Sequence, residues 1–364
     1  MAAHVHDLGE HRLTAIDPVR IVSTYAHPVG RNAFREHHGS GGESIALRLS
    51  TDAGATGWGL PLGSTAEIGA LIGRRVGDLI DPAVGVVDAA ALPLDIALHD
   101  LAGRILGLPV HVMLGSSGPT DLPAYSGAVY FDDLDAEPGR ELDAIRETLR
   151  IDAALGYRDF KLKIGRGHRW MPHAEGLERD IQVTRLAREC HPEADLLVDA
   201  NDGYSPTTLF EYLDAVGDCS LTWVEEPFAE RIEDLRLLRS YLDGLGSRTL
   251  VADGEYEPNE RQVFRLASEG LIDVALMDVI GYGFTAWRRA MPRLMASGTR
   301  ASPHAWGTPL KTLYAAQLGA GLGNVLTIEG VPGSTDGADT SGYRLEDGLL
   351  HVPDEPGFGI PLTP

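Results

Sequence analysis

Three short apolar runs, each ending in acid, restrict most what this chain can become. They read Asp195-Leu196-Leu197-Val198-Asp199-Ala200-Asn201, Leu221-Thr222-Trp223-Val224-Glu225-Glu226-Pro227 and Leu250-Val251-Ala252-Asp253-Gly254-Glu255. Runs of this length and composition predict buried β-strands. Asp199 and Glu225 lie 26 residues apart, and Glu225 and Glu255 lie 30 apart. That leaves room for one strand, one helix and two loops, the repeat of a parallel (β/α) barrel. Three carboxylates then converge on one rim, where they repel unless a hard cation lies between them. An all-oxygen donor set favours Mg2+. The plainer alternative is that each acid caps the helix after it, but Glu is a poor N-cap, which weakens that explanation for Glu225 and Glu255.

The rest of the chain fits the same repeat. Strands are expected near 122–129, 158–164, 195–200, 221–226, 249–255, 272–278, 299–304 and 324–329, with helices near 174–190, 206–216, 258–269 and 284–297. Eight strands in parallel order close a barrel. Ahead of them, residues from about Arg20 to Gly59 alternate as an antiparallel sheet does, interrupted by a polar, glycine-flanked loop over 29–42 that reads as a lid. From Ser64 to about Gly107 the pattern turns helical and predicts a helical hairpin packed on that sheet. After Gly330 a tail rich in glycine and proline ends in a hairpin over 343–364, expected to return to the small domain. The fold class is therefore α/β: a (β/α)7β TIM-like barrel with an α+β capping domain formed by the N-terminal segment and the C-terminal tail. The expected boundaries are 1–118 for the cap, 119–330 for the barrel and 331–364 for the returning tail.

Charge and composition exclude several functions. A net charge of −22 and a pI near 4.9 argue against nucleic acid or an anionic membrane as partner. Cys190 and Cys219 have no metal-ligand spacing and read as reduced thiols. Residues 1–12 lack the basic start and apolar stretch of a signal peptide, and no apolar run is long enough to span a bilayer. A soluble, cytoplasmic homo-oligomer is expected. Any anionic substrate needs a locally positive site.

Such a site is legible at the other strand ends. In Phe160-Lys161-Leu162-Lys163-Ile164 the two lysines are two residues apart, so both face the barrel interior. Two ammonium groups so close depress one another, which makes one a usable base near neutral pH. The sixth and seventh strands end in Leu276-Met277-Asp278 and Ser302-Pro303-His304. An Asp bonded to an imidazole fixes its tautomer and prepares it for proton transfer. The last strand ends in Glu329, an acid that can support charge growing on a substrate oxygen if it is protonated or hydrogen-bonded.

This ring of residues resembles the enolase superfamily, and within it the mandelate racemase subgroup, whose hallmark is a Lys-x-Lys pair opposite a His-Asp dyad. The likeness spans essentially the whole chain. It implies that Asp199, Glu225 and Glu255 bind Mg2+, that Lys163 is the base on one face of the substrate and that His304, paired with Asp278, serves the other. It further implies that Lys161 neutralises the substrate carboxylate, that Glu329 donates a hydrogen bond to the enediolate and that Asn201 touches substrate. Arg31, Arg35 and His37 of the lid and Trp306 complete the expected substrate contacts, with His38, His168 and Arg169 as further candidates. The implied chemistry is Mg2+-dependent removal of the proton α to a carboxylate, with dehydration of an acid sugar to a 2-keto-3-deoxy acid as the leading expectation. A cycloisomerase and a racemase or epimerase use the same parts. Two readings from other classes stay open, a Schiff-base aldolase and a non-catalytic binding barrel.

Overall fold

Two long strands with alternating burial, β1 (Leu13–Val29) and β2 (Gly39–Thr51), pair antiparallel, and β3 (Thr56–Gly59) adds to the far side of β2. The computed structural model describes residues 8–255 and 259–363. The N-terminal stretch tested for a signal peptide thus lies, up to residue 7, outside the described residues. On this sheet Leu47, Leu49 and Trp58 meet Ile96, Ala97 and Leu101 of helix α1 (Asp95–Leu106) in one buried core. Gly57 permits the close approach, since a Cβ there would sit 2.4 Å from the Leu101 Cα.

The helical hairpin expected over 64–107 is not formed. Only its last stretch, from Asp95, is α-helical; before it come 3-10 turns at Ile68–Leu71, Val76–Asp78 and Ala89–Leu94 and a two-stranded ribbon, β4 (Ile80–Asp81) with β5 (Gly85–Val86). Gly69, Gly73, Gly77, Pro82 and Gly85 interrupt any continuous helix there. The partner of α1 is instead the short α2 (Val110–Leu114).

The barrel runs through β6 (Asp121–Val129), β7 (Asp159–Lys163), β8 (Leu196–Asp199), β9 (Leu221–Glu225), β10 (Leu250–Asp253), β11 (Val274–Ala275), β12 (Arg300–Ala301) and β13 (Ile328–Gly330). Neighbours pair in parallel from β6 to β12, and β13 pairs in parallel with β6. The seam between β12 and β13 closes through an Ala301–Val325 bridge and a Ser302 Oγ bond to the Thr327 carbonyl. Helices α3 (Glu141–Ala154), α4 (Arg166–Arg169), α5 (His173–Cys190), α6 (Pro206–Ala215), α7 (Ile232–Leu245), α8 (Glu260–Ser268), α9 (Val279–Tyr282), α10 (Phe284–Ser297) and α11 (Pro309–Leu322) fill the intervals. The helix expected from 258 starts at Glu260, with 256–258 outside the described residues. Seven strand-to-helix units and a closing strand give the (β/α)7β order. Tyr125, Leu197, Trp223, Ala252, Val274 and Leu276 pack together inside it.

The tail divides. β14 (Gly333–Asp336) joins the outer edge of β1 in the cap sheet. The hairpin of β15 (Arg344–Glu346) and β16 (Leu349–His351) does not return to the cap: it pairs with Asp121–Pro123, the start of β6. Those residues precede the β6–β7 register, which begins at Tyr125, so their edge needs a partner. The last segment does return, with Phe358 N bonded to Asp100 of α1 (2.9 Å) and Trp58 Nε1 bonded to the Ile360 carbonyl (2.7 Å). Among the described residues no helix is long and apolar enough to cross a membrane.

Candidate active site

Parallel pairing sets Lys163, Asp199 and Glu225 side by side, because β7–β8 and β8–β9 register these residues directly. Glu255 lies just beyond β10, past Gly254, whose φ of +102° turns the chain back over the rim. One carboxylate oxygen from each of Asp199, Glu225 and Glu255 lies within 4.8 Å of the others, and all three residues are buried. The donor set suits a hard divalent cation. Glu255 Oε2 supports that fit, being buried without a hydrogen-bond partner, a costly state unless a ligand completes it. Glu225 Oε2 is steadied by Trp223 Nε1 at 3.1 Å. The adjacent acids are used differently: Glu226 faces Asn201, and Asp253 turns back to its neighbour's amide, Gly254 N, at 2.6 Å.

The lysines provide the opposite charge. Lys161 Nζ lies 2.7 Å from Glu225, 2.8 Å from Glu329 and 3.5 Å from Asp199, while Lys163 Nζ bonds Asp199 Oδ2. Lys163 also lies 5.1 Å from the ring centre of Tyr130. Burial and the second ammonium both disfavour charge on Lys163, as the sequence suggested, but Asp199 and Glu255 outweigh them and hold it well above the usual lysine range. Mutual depression of the two lysines therefore operates only to the extent that a cation takes over the carboxylate charge.

His304 bonds Asp278 Oδ2 through Nδ1 and Glu255 Oε1 through Nε2, both at 2.8 Å. Both ring nitrogens face carboxylates and must donate, so the ring is an imidazolium. Its pKa reaches about 9: burial lowers it, and Glu255, Glu329 and Asp278 raise it by more. Asp278 has two duties. Its Oδ1 caps α9 by accepting from Ile280 N and Gly281 N, and its Oδ2 takes both His304 and Lys311 Nζ.

Glu329 departs from the expectation of a donor. Its Oε2 accepts from Ala305 N (2.6 Å) and Trp306 N (3.0 Å) and its Oε1 from Lys161. Burial opposes its charge, but Lys161 and His304 hold it ionised. In this arrangement it anchors Lys161 and the turn after His304.

The lid, residues 30–38 once 39–42 have joined β2, sits over this rim. Arg31 and His37 are taken up within the lid region: both bond Asp135, at 2.8 and 2.6 Å, and Arg31 also reaches Glu36. Sequence adjacency had suggested substrate contact, but an exposed carboxylate on a neighbouring loop is the nearer partner. His168 packs on the Phe34 ring and Arg169 bonds the Phe34 carbonyl (2.6 Å), so the residues after β7 hold the lid rather than line the site. Arg35 does line a cavity of about 240 Å3, with Asn32, Phe34, Asn201, Asp202 and Glu226. Asn201, Asp202 and Glu226 have φ of 42°, 60° and 39°, a region that Asn and Asp adopt readily but that costs a residue such as Glu about 1–2 kcal/mol.

Trp306 packs at a tilt against Tyr130 (ring centres 4.9 Å) and Tyr25 (5.5 Å), and His38 meets Tyr130 edge-on at 4.7 Å. Tyr130 was overlooked in the sequence, although it is the first residue past the first barrel strand, where the strand-end rule would have found it. A second omission is Arg166, fully buried just past β7. It bonds Asp133 and Asp180 (2.6 and 2.7 Å) and donates Nη1 to the Lys163 carbonyl at 3.2 Å, while Asp180 also takes Gly165 N and Tyr204 OH. The network ties the loops after β6, β7 and β8 behind Lys163.

Known proteins share this architecture. The family model described as Enolase C-terminal domain-like matches residues 144–364, well over half of the chain. The chain belongs to the enolase superfamily. Its solved relatives within that superfamily include a mandelate racemase/muconate lactonizing protein from Geobacillus sp. Y412MC10 complexed with magnesium and tartrate, 32% identical with a TM-score of 0.92 over 98% of this chain and 94% of that one. A galacturonate dehydratase from Geobacillus sp., complexed with D-galacturonate and 5-keto-4-deoxy-D-galacturonate, is 33% identical with a TM-score of 0.89 over 98% and 95%. D-galactarolactone cycloisomerase of Agrobacterium fabrum, another relative, is 27% identical over 354 residues, covering 88% of this chain and 89% of its own.

Proposed function

We propose that this enolase-superfamily protein is a Mg2+-dependent acid-sugar dehydratase, taking the proton α to a carboxylate and expelling the β-hydroxyl as water. One observation carries the reading: two proton-transfer groups flank a single acidic triad, Lys163 on Asp199 and His304 on Glu255. When bound at Asp199, Glu225 and Glu255, Mg2+ supplies Lewis-acid charge to the substrate carboxylate. Lys163, as the free amine, takes the α-proton at Nζ from one face. Lys161, fixed between Glu225 and Glu329, places positive charge beside the enediolate that results. His304, its ring oriented by Asp278, gives the Nε2 proton to the leaving hydroxyl. Glu329 keeps Lys161 and the 304–306 turn in place, and Asn201, Arg35 and Trp306 form the substrate wall.

The galacturonate dehydratase supports dehydration, because 5-keto-4-deoxy-D-galacturonate is a 2-keto-3-deoxy acid when numbered from its carboxylate. The cycloisomerase relative favours a second reading, ring opening of a sugar lactone by the same elimination. One assay separates them. The protein is stripped with EDTA, reloaded with Mg2+ and given acid sugars and their lactones. Loss of water with a 2-keto acid product supports dehydration; an open-chain product of unchanged mass supports cycloisomerisation. Absence of both products, and of α-proton exchange with solvent deuterium, would sink the reaction assigned here.

A further inference from the structure

We infer that Lys311 is the positioning residue for the acid of this site: it clamps the ring of His304 by holding Asp278 on one side and the Trp306 carbonyl on the other. The inference rests on the reaction proposed above, in which His304 protonates the leaving hydroxyl, and adds a residue to it. Asp278 can accept four hydrogen bonds through its two oxygens, and all four places are taken. Oδ1 receives Ile280 N (2.9 Å) and Gly281 N (2.6 Å), and Oδ2 receives His304 Nδ1 (2.8 Å) and Lys311 Nζ. The amides of α9 thus pin only Oδ1. Without Lys311, the oxygen that has to hold the ring keeps no bond except the one to the ring itself. Lys311 Nζ also donates to the Trp306 carbonyl at 2.8 Å, so the turn after His304 is gripped at its amides by Glu329 and at its carbonyl by Lys311.

Helix stability does not account for a lysine at this place. Lys311 is the third residue of α11, after the N-cap Thr308 and then Pro309 and Leu310, where the positive end of the helix dipole disfavours a cation. The helix start is firm without it: Thr308 Oγ1 accepts from Leu310 N at 3.4 Å, and Thr312 Oγ1 bonds the Glu329 carbonyl at 2.9 Å, tying the first turn to β13. From that fixed base one long side chain reaches the loops after β11 and β12 together. Glu255 also meets His304, at Nε2, but it belongs to the acidic triad, and Nε2 is the atom that gives up its proton. Asp278 is therefore the anchor that stays with the ring, and Lys311 keeps that anchor in place.

The test starts with the full chain and Mg2+, without substrate, its histidines labelled with 15N for NMR. The Nδ1 proton of His304, assigned by its absence in His304→Asn, is expected to be protected from exchange with solvent. In Lys311→Met that exchange should become at least about tenfold faster, the effect of losing one hydrogen bond to a charged group. In Lys311→Arg, which keeps the charge and the donors, it should stay within about threefold of the wild type. If circular dichroism shows that Lys311→Met does not fold, Lys311→Gln takes its place. The kinetic arm uses the first acid sugar, starting with D-galacturonate, D-galactonate and meso-galactarate, whose α-proton the wild type exchanges with D2O. Turnover by Lys311→Met should fall by about tenfold with KM within about twofold, while α-proton exchange, the Lys163 step, stays within about threefold of the wild type. Fast Nδ1 exchange in the wild type, no change in Lys311→Met, no recovery in Lys311→Arg, an effect on KM alone, or equal losses of turnover and α-proton exchange would each overturn the inference. If the wild type exchanges the α-proton of no acid sugar, the proposed reaction falls, while the Nδ1 measurement still decides whether Lys311 fixes the ring.

Discussion

The floor of the barrel and the lid above it contain the same residue types and use them differently. On the floor, Lys161 and Lys163 are buried and His304 is partly buried, and each meets a buried carboxylate, so their charges act on one another and on whatever binds between them. In the lid, Arg31 and His37 also meet a carboxylate, but Asp135 is about 43% exposed. Exposed pairs of this kind contribute about 0–1 kcal/mol, whereas unpairing a buried one costs about 3–5 kcal/mol. A charge gains chemical weight from burial more than from its presence in the sequence.

Removing the cation should expose this difference most strongly. After EDTA treatment, turnover is expected to fall below detection and to recover with Mg2+, measured as 2-keto acid formed; undiminished turnover in EDTA would remove the floor's special status. Next, Lys163→Ala and His304→Asn should each lower turnover by about 10^3-fold, within the range for lost acid–base groups. One of the two is expected to retain α-proton exchange, identifying the face from which the proton leaves. If both variants keep full turnover, the assigned roles are wrong.

Behind the floor, Arg166→Met leaves Asp133 and Asp180 buried without their guanidinium. A loss of about 3–5 kcal/mol in denaturant stability is expected. Because Arg166 holds the Lys163 carbonyl, exchange on the Lys163 face should slow more than on the His304 face. Equal slowing would show a purely structural role.

At the lid root, Asp132 accepts from Gly30 N (2.8 Å), and burial pushes its carboxyl up to about 6. The folded protein thus holds this proton more tightly than the unfolded chain, where the pKa is about 3.9. Its contribution to stability is full below about pH 4 and is lost as pH rises through 6, by at most about 3 kcal/mol. In Asp132→Asn that part of the pH–stability curve should flatten, and an unchanged slope would contradict the assignment. The smallest effects belong to Arg31→Ala and His37→Ala, expected to change kcat/KM by about threefold or less. A hundredfold loss from either would place that lid side chain on the substrate and erase the contrast between the two regions.

Reading the strand ends found the floor. Asp199, Glu225, Lys161, Lys163 and Glu329 lie in strands near their carboxyl ends, where side-chain period and strand order leave little freedom, and Asp278 and His304 follow three residues past β11 and β12, which end earlier than expected. The same reading failed for the lid, where Arg31 and His37 sit on a loop that no periodicity orients. It failed as well over 64–94, where apolar spacing resembled a helix but glycine and proline broke it. Lys311 was missed because it reaches Asp278 from the first turn of α11, a contact made only by packing.

From its sequence alone, the chain determined a parallel barrel and the residue types on its rim, because a two-residue side-chain period and a strand–helix repeat are local rules. Only the tertiary structure decided that Glu329 is an acceptor, that the terminal hairpin joins β6 and that Arg31 and His37 face Asp135. Each depends on which group lies nearest across a gap of many residues, and burial then decides how strongly the two interact.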